Sequence, residues 1–537
     1  MARSTRPHPP ISVKIDQMKE RVLWQHPLIV ERGIDQTRLA FADNWADSPE
    51  FSFLVIGDTG SGPHQDCDPQ RQIAQYMLEH SDSCRFLLHT GDVIYLVGSR
   101  EHYQEKFIKP YREFLLGGEQ PHRLAYDRMV FNLPFLPVLG NHDYYNLPFL
   151  FGLLNQVTLP LRRLLGLEVN LHIGWHGSAQ GDAYARAFMD YLKALDSNSQ
   201  LCRHLESHYT AKTDSGRCLV YEPGNFTRLP NRYYSFRNGG IDFFALDSNT
   251  FSTPSPLPAT AEGDAYRRLL AERRHDLEQQ ELQLLETAST LHSDSPESAE
   301  YLDDLQAKLE QIEEIKLDIH KQLVADETTT TIDFEQLKWL RKRLIESWHT
   351  NEVRGRVIYF HHPPYVTEVT KWHQAQTLAV RHNLRWVLDG VAGTVGSMAQ
   401  GRPLVDLIIC GHAHCLEYLR TGDTGHADSH LNWLICGGSG FSLRRQREEG
   451  SEIMESFPMI ESTKGNYTRL VAQSELFVGL SGNKSHKRRP YSFLRIDVQD
   501  GCPPKFIIRP FIAQRFEQHW SNSQLEPFII PLTPNRL

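Results

Sequence analysis

Five short motifs in this 537-residue sequence group side chains that could bind metal ions. In chain order they are Gly57-Asp58-Thr59-Gly60, Gly91-Asp92-Val93-Ile94-Tyr95, Gly140-Asn141-His142-Asp143, Val357-Ile358-Tyr359-Phe360-His361 and Gly411-His412-Ala413-His414. Each motif alone is weak evidence, because a Gly-Asp pair after a strand is usually a turn. Together they supply carboxylates, an amide oxygen, a phenol and imidazoles, a mixture that suits iron, zinc or manganese rather than a thiolate site.

Each motif follows or ends a short apolar run that predicts a β-strand. These runs cover residues 51–56, 85–90, 136–139, 356–360 and 405–410, and a similar run at 241–246 precedes Asp247. Near-continuous apolar runs are typical of strands that are buried on both faces and covered by helices. Because ligands of such α/β sheets bind beyond the carboxyl ends of the strands, we expect the motifs to converge on one sheet edge.

A different pattern occupies residues 262–324. Leu270, Leu277, Leu284 and Leu291 recur at intervals of seven, and a second apolar series follows a Ser/Pro turn. This pattern predicts two helices packed as an antiparallel hairpin. We favour an insertion that packs on itself or on the body of the protein, and a dimerisation or docking arm is the alternative.

In this order the five motifs resemble those of the calcineurin-like metallophosphoesterase superfamily. The resemblance is strongest to its purple acid phosphatase branch, whose pattern is GDxG, GDxxY, GNH, VxxH and GHxH. Many relatives carry a histidine where this chain has Gly60, whereas the matching branch has a tyrosine at the position of Tyr95. The resemblance spans roughly residues 51–511, outside 147–190 and 262–324. It implies an α/β fold in which a β-sandwich is flanked by helices in the order α/β/β/α, with the helical hairpin inserted.

The same resemblance implies two metal ions. One ion, expected to be iron because a phenolate favours a trivalent ion, with manganese or zinc as the alternatives, would be held by Asp58, Tyr95 and His414. The second, expected to be iron, zinc or manganese, would be held by Asn141, His361 and His412. Asp92 would bridge the two ions.

The implied activity is that of a hydrolase acting on phosphate esters. Two metal ions about 3.5–4 Å apart can polarise phosphoryl oxygens and lower the pKa of a bound water. We therefore expect in-line attack of a metal-bound hydroxide on a phosphomonoester. His142 is expected to be the general acid for the leaving oxygen, and Asp143 could orient its imidazole.

Two other functions remain open from the sequence. The same metal pair can cleave phosphodiesters when the pocket admits a second substituent. A non-catalytic scaffold that assembles through the helical hairpin is the other alternative, with self-association through residues 262–324. The tandem His362, and the more distant His373 and His64, are less certain members of any site.

Composition and charge limit the classes of binding partner and the cellular compartment that we expect for this protein. Lys and Arg number 57 against 66 Asp and Glu, a formal net charge of −9 that gives no general reason to expect nucleic-acid binding. Residues 1–33 lack the apolar core of a secretory signal. The most apolar stretch, 147–171, contains prolines and charges, so no membrane-spanning helix is expected. These features predict a soluble cytoplasmic protein.

Length alone would suggest three or four domains. The motifs on both sides of the hairpin must meet at one centre, however, which predicts a single catalytic domain over residues 51–515. This domain would be interrupted by an irregular or helical insertion at 147–190 and by the hairpin at 262–324. Residues 1–50 are predicted to be an irregular N-terminal extension and 516–537 a C-terminal tail.

Overall fold

The computed structural model describes residues 9–42, 48–62, 67–95, 97–145, 178–290, 296–326, 331–458, 466–482 and 486–530. Within these ranges the chain forms nine α-helices. They are α1 (Ile11–Arg21), α2 (Pro27–Glu31), α3 (Pro69–Leu78), α4 (Asp182–Phe188), α5 (Asn198–His208), α6 (Ala261–Thr290), α7 (Pro296–Val324), α8 (Phe334–Trp348) and α9 (Ala375–Val395).

The same ranges contain eighteen β-strands. They are β1 (Ile34–Phe41), β2 (Phe51–Ile56), β3 (Cys84–His89), β4 (Phe135–Pro137), β5 (Ala211–Thr213), β6 (Gly216–Tyr221), β7 (Tyr234–Asn238), β8 (Ile241–Ala245), β9 (Gly355–Phe360), β10 (Leu407–Cys410), β11 (Leu416–Thr421), β12 (Asn432–Cys436), β13 (Glu452–Pro458), β14 (Asn466–Val478), β15 (Arg488–Gln499), β16 (Lys505–Phe516), β17 (His519–Gln524) and β18 (Phe528–Ile530).

These strands form two mixed sheets. The larger sheet has eleven strands in the order β13-β14-β11-β12-β10-β9-β8-β7-β1-β6-β5. The smaller sheet has seven strands, β17-β16-β15-β2-β3-β4 with β18 paired to β16. Strands β8, β9 and β10 are parallel neighbours in the larger sheet, as are β2, β3 and β4 in the smaller one.

The two sheets pack face to face through a core rich in phenylalanine. Phe53 of β2 meets Phe243 of β8 with ring centroids 5.6 Å apart, and Phe86 of β3 meets Phe236 of β7 at 5.4 Å. Side chains alternate between the faces of a strand, so Phe244, next to Phe243, belongs to the core on the other side of the larger sheet. The β-sandwich is therefore built by the period-two alternation of buried residues.

Helices cover the outer faces of both sheets. Helix α8 packs Leu337, Leu340 and Leu344 into the same core as Val387 and Val391 of α9, against the larger sheet. On the opposite side, Tyr76 of α3 packs edge-on against Phe493 of the smaller sheet, with centroids 5.4 Å apart. The predicted layer order α/β/β/α is thus confirmed.

The strands that precede the motifs lie where the apolar runs predict them. Strand β2 covers 51–56, and the ends of β3, β4, β8, β9 and β10 differ from the predicted runs by at most two residues. The N-cap predicted for α8 is also present, since Asp333 Oδ1 accepts a hydrogen bond from Gln336 N at 3.2 Å.

The predicted helical hairpin is formed by α6 and α7. Leu270, Leu277, Ile312 and Ile319 make a small apolar cluster between the two helices, separate from the two main cores. Lys316 of α7 lies 2.6 Å from Glu281 of α6, which adds an ion pair across the hairpin.

Two terminal segments contain more regular structure than expected. The N-terminal residues 11–41 form α1, α2 and β1, and β1 pairs in parallel with β6 and β7 inside the larger sheet, so the expectation of irregular structure there is wrong. At the other end, β17 and β18 pair with β16. Residues 147–177 of the predicted insertion lie outside the described residues, whereas 178–190 include α4.

None of the helices in the described part of the chain combines the length and the apolar character needed to cross a lipid bilayer.

Candidate metal centre

The five motifs lie in loops at the carboxyl ends of five strands. Asp58 follows β2, Asp92 follows β3 and Asn141 follows β4, all in the smaller sheet, whereas His361 follows β9 and His412 follows β10 in the larger one. The expectation of a single sheet edge is therefore wrong. The motifs meet because the two sheets are stacked so that the carboxyl ends of both parallel strand groups lie at the same end of the sandwich.

Hydrogen bonds tie these loops together across strands. Asp58 N donates to Gly91 O at 3.0 Å, and Gly411 N donates to His361 O at 3.0 Å. A side-chain contact joins the two sheets, because His412 N donates to Asp58 Oδ2 at 2.8 Å. The loops consequently form one connected unit.

Three of the predicted ligands adopt a left-handed backbone. Asp58 and Asp92 have φ of 54° and His412 has φ of 66°. Such conformations cost about 1–3 kcal/mol each in residues other than glycine, and they cluster at functional sites. The fold maintains this strain at three positions within one small region.

Gly60 has a steric reason to be glycine. A Cβ atom at this position would lie 2.1 Å from Val93 O and 2.3 Å from Ile94 Cα, both backbone atoms of the second motif. No side chain could be accommodated there without moving that loop. Many members of the superfamily that the motifs resemble carry a histidine at the position of Gly60. In this chain that position cannot hold a side chain.

The first predicted donor set meets around the Tyr95 hydroxyl. The Tyr95 oxygen lies 2.7 Å from Asp58 Oδ1, 2.8 Å from Asp92 Oδ2 and 3.0 Å from His414 Nε2. Four donor atoms, three oxygens and one nitrogen, therefore converge in a fully buried position.

The second predicted donor set meets around His361 Nε2. This nitrogen lies 3.0 Å from Asn141 Oδ1, 3.2 Å from His412 Nδ1 and 3.2 Å from Asp92 Oδ2. Asp92 Oδ2 thus contacts members of both sets, which is the position required of a bridging carboxylate.

Backbone carbonyls orient two of the histidine rings. His361 Nδ1 lies 2.9 Å from Thr90 O, and His414 Nδ1 lies 2.9 Å from Ser442 O. A carbonyl can only accept, so Nδ1 of each ring carries a proton and Nε2 is the nitrogen that faces the cluster. Metal-binding histidines are commonly held by such an outer contact.

Burial and mutual charge perturb the ionisation of this cluster. Burial raises the pKa of Asp58 well above its usual range, and the nearby Asp92 charge adds to the effect. Burial also opposes ionisation of Asp92, but the charges of His361 and His142 outweigh it and hold the pKa of Asp92 below its usual value. Burial and the two carboxylates together raise the pKa of Tyr95 well above its usual value. A bound cation would reverse this last effect and favour a phenolate.

These donors fit a pair of metal ions by their chemistry. Oxygen and imidazole donors of this kind suit iron, zinc or manganese. Within the described part of the chain, groups of His and acidic residues spaced for a metal ion include Asp58 with Asp92 and His361, and His361 with His362 and His412. His362, which the sequence left uncertain, therefore lies next to the centre, with Nδ1 2.8 Å from Ser248 Oγ. Whether the seven predicted ligands bind metal stays a prediction.

His142 lies at the margin of the cluster. Its Nε2 is 4.0 Å from Asp92 Oδ2, and its ring centroid is 4.3 Å from that of Tyr95. The backbone N–H of His142 donates to Asp92 Oδ1 at 2.8 Å, so the loop position of His142 is coupled to Asp92.

Asp143 contacts the backbone of the same loops. Its carboxylate accepts hydrogen bonds from the N–H groups of Gly140, Asp92 and Val93 at 2.9, 3.1 and 3.2 Å. Burial, followed by the charge of Asp92, raises the pKa of Asp143 to about 8. Through these contacts Asp143 positions Asp92. That Asp143 also orients the imidazole of His142 stays a prediction.

Several neighbours of the centre were not singled out by the sequence. Gln376, near the start of α9, places Nε2 2.8 Å from His412 Nε2. Lys371 and Glu314 line the same cavity as Asn141 and His412. None of these three residues belongs to one of the five motifs. Glu314 comes from the hairpin, which is far from the motifs in the sequence. His373 contacts Arg273 of the hairpin at 3.0 Å, and His64 lies outside the described residues.

Comparisons with known proteins give only distant likenesses. No protein-family model and no curated protein matches the sequence. Among solved structures, GAP50, described as the anchor in the inner membrane complex of Plasmodium, has a TM-score of 0.36 and 11% identity, covering 91% of this chain and 90% of that one.

Two further solved structures are similar at the same level. The purple acid phosphatase PPD1 from yellow lupin (Lupinus luteus) seeds has a TM-score of 0.39 and 10% identity, over 91% of this chain and 55% of that chain. PhoD has a TM-score of 0.38 and 9% identity, over 91% and 71%. This chain thus spans about half the length of the lupin protein.

Proposed function

We propose that this protein is a binuclear metal-dependent phosphoesterase that hydrolyses phosphomonoesters. The observation that carries the proposal is the position of Asp92 Oδ2, 2.8 Å from the Tyr95 hydroxyl and 3.2 Å from His361 Nε2. A carboxylate oxygen shared by two sets of nitrogen and oxygen donors is what a pair of metal ions requires.

In this proposal Asp58, Tyr95 and His414 would hold one ion, Asn141, His361 and His412 would hold the other, and Asp92 would be shared by both. When bound, the two ions would supply Lewis-acid stabilisation of phosphoryl oxygens and a water of lowered pKa. The protein supplies the fixed geometry, since the donor loops are linked by hydrogen bonds and exclude bulk water. His142 donates the proton to the leaving oxygen, and its place beside Asp92 supports that role.

Metal analysis combined with two substrates tests the proposal. The purified protein should contain close to two metal ions per chain and should hydrolyse p-nitrophenyl phosphate faster than bis-p-nitrophenyl phosphate. If the diester is the better substrate, the phosphodiesterase alternative replaces the monoesterase. Absence of both metal and hydrolysis would overturn the proposal altogether.

Iron at the Tyr95 position has its own test. A tyrosinate-to-iron(III) complex absorbs visible light, and this absorption should disappear in Tyr95→Phe. A colourless zinc or manganese protein with phosphatase activity would remove iron from the proposal and leave the reaction in place.

The role of His142 depends on the leaving group. His142→Ala should slow hydrolysis by about 100-fold or more for an alkyl phosphate, whose leaving oxygen needs a proton, and less for p-nitrophenyl phosphate. Equal activity of wild type and His142→Ala on the alkyl phosphate contradicts the assignment.

A second function, assembly through the hairpin, is favoured by exposed apolar side chains on α6. Leu269 and Leu282 are 56% and 66% exposed. Replacing both with serine should convert an oligomer to a monomer, measured by light scattering, without loss of phosphatase activity. A wild-type protein that is already monomeric eliminates self-association.

A further inference from the structure

Helix α7 of the hairpin closes a small cavity beside the predicted metal centre. Asn141 and His412 of the centre line the cavity together with Glu314, Lys321 and Lys371. Its volume of about 10 Å³ is roughly what one water molecule needs. A phosphoryl group is larger than a water molecule, so it can occupy this cavity only if part of the wall, such as Glu314 of α7, moves.

Glu314 contributes a carboxylate to this wall. One of its oxygens lies 2.7 Å from Lys371 Nζ, and Lys371 is only 1% exposed. Although burial alone would raise it, the pKa of Glu314 is lowered to about 2, chiefly by the charge of Lys371 and also by that of Arg444. An anion is therefore held at this position by cations.

Arg444 provides a second buried cation on the side of His414. Its backbone N–H donates to His414 O at 2.9 Å, and Nη1 donates to Ser442 Oγ at 3.1 Å. Its Nε and Nη2 are buried without a hydrogen-bond partner among the residues that the structure describes. Buried donors are normally satisfied, so this guanidinium calls for an acceptor.

We propose that Lys371 and Arg444 bind the phosphoryl group of the substrate, and that Glu314 of α7 occupies this anion site until the substrate displaces it. The inference rests on the proposed function and adds the substrate class. A phosphomonoester carries about two negative charges near neutral pH, whereas a diester or a carboxylate carries one. Two cations beyond the metal ions therefore select the dianionic monoester.

In the described part of the chain, polar contacts join α7 to the body at this position. Besides the Glu314–Lys371 ion pair, Asp318 accepts hydrogen bonds from the backbone of Ala375 and Gln376 at 2.9 and 3.2 Å. The apolar cluster of the hairpin joins α7 mainly to α6. Displacement of α7 together with α6 would leave the two main cores intact.

Neutralising Glu314 tests the occupied site. Glu314→Gln should lower both the KM for p-nitrophenyl phosphate and the Kd for inorganic phosphate, measured calorimetrically on the metal-loaded protein, by about fivefold or more. Glu313→Gln is the matched control, because Glu313 is adjacent on α7 and pairs instead with Lys316 at 2.7 Å. Equal values for the two variants overturn the inference.

Replacing Lys371 and Arg444 with neutral residues tests whether these two cations select the dianionic monoester over the diester. Lys371→Gln and Arg444→Gln should each lower the ratio of kcat/KM for p-nitrophenyl phosphate over its bis-ester by about fivefold or more, and Arg444→Lys should restore part of it. Arg445→Gln is the control, since the Arg445 guanidinium donates to Leu480 O and Gly482 O. An unchanged ratio in both variants, in a wild type that binds metal and hydrolyses the monoester, overturns the inference alone. A wild type that binds no metal and cleaves neither ester overturns the proposed function as well.

Discussion

The predicted metal centre and the hairpin beside it are built in opposite ways. At the centre the predicted ligands are at most 3% exposed. Their loops are connected by backbone hydrogen bonds within each sheet and by the bond from His412 N to Asp58 Oδ2 between the sheets. In the hairpin, two helices of 30 and 29 residues share a small apolar cluster and expose Leu269 and Leu282 to solvent.

This difference indicates which part can move. The centre holds three ligand residues in strained left-handed backbone conformations, which requires rigid surroundings. The apolar cluster of the hairpin is separate from the two main cores, and regions with a small cluster of their own open at lower free energy than a core does. A fixed donor set beneath a displaceable cover is the arrangement that a substrate-gated centre needs.

The largest expected effect separates the two regions by function. Asp92→Asn should lower phosphatase activity by far more than 100-fold, because even residues behind metal ligands cost about 10–100-fold when changed. Metal content measured on the same sample should fall with it. Leu277→Ala in the hairpin core should keep activity within about threefold. Retention of a tenth of wild-type activity by Asp92→Asn would contradict the bridging role.

The second-largest expected effect is a difference in stability between the body of the protein and the hairpin. Ile409→Ala removes a fully buried side chain of β10 and should lower the free energy of unfolding by about 2–5 kcal/mol. Ile312→Ala in the hairpin should lower the global value by less than about 1 kcal/mol, since the hairpin can open locally. Urea unfolding gives the global values, and amide hydrogen exchange in α7 should quicken only in Ile312→Ala. Equal losses from both variants would mean that hairpin and body unfold as one unit.

The smallest effect concerns a buried carboxyl close to the centre. Glu417 of β11 is fully buried, and burial raises its pKa to about 7, despite hydrogen bonds from Thr367. The folded state therefore binds a proton that the unfolded state, with a pKa near 4.5, has lost between about pH 4.5 and 7. Stability from this group falls as pH rises through that window.

Glu417→Gln should remove this dependence and gain about 1–3 kcal/mol relative to wild type between pH 5 and pH 8. Thermal unfolding of metal-loaded protein at both pH values measures the gain. Glu262→Gln, at the exposed start of α6, should show no such pH-dependent difference. A gain that is the same at both pH values would place the cause outside Glu417 ionisation.

The sequence by itself determined the local structure near each motif. Apolar runs such as 51–56 and 356–360 are strands because their residues are buried on both faces, and the heptad leucines form helices because one face is apolar. The spacing of apolar residues and the burial it implies involve residues that are neighbours in the sequence, so both can be predicted from the sequence. Local patterns did not predict the regular structure of residues 11–41, because strand β1 is fixed by its pairing with the distant strands β6 and β7.

Only the tertiary structure decided how these pieces meet. It brought the carboxyl ends of strands from two sheets to one place, and it placed Asp92 within reach of both Tyr95 and His361. It also set Glu314, from a helix with no motif, against Lys371 at the edge of the centre. These contacts join residues from 3 to 269 positions apart, since distance in space depends on packing that no local pattern encodes.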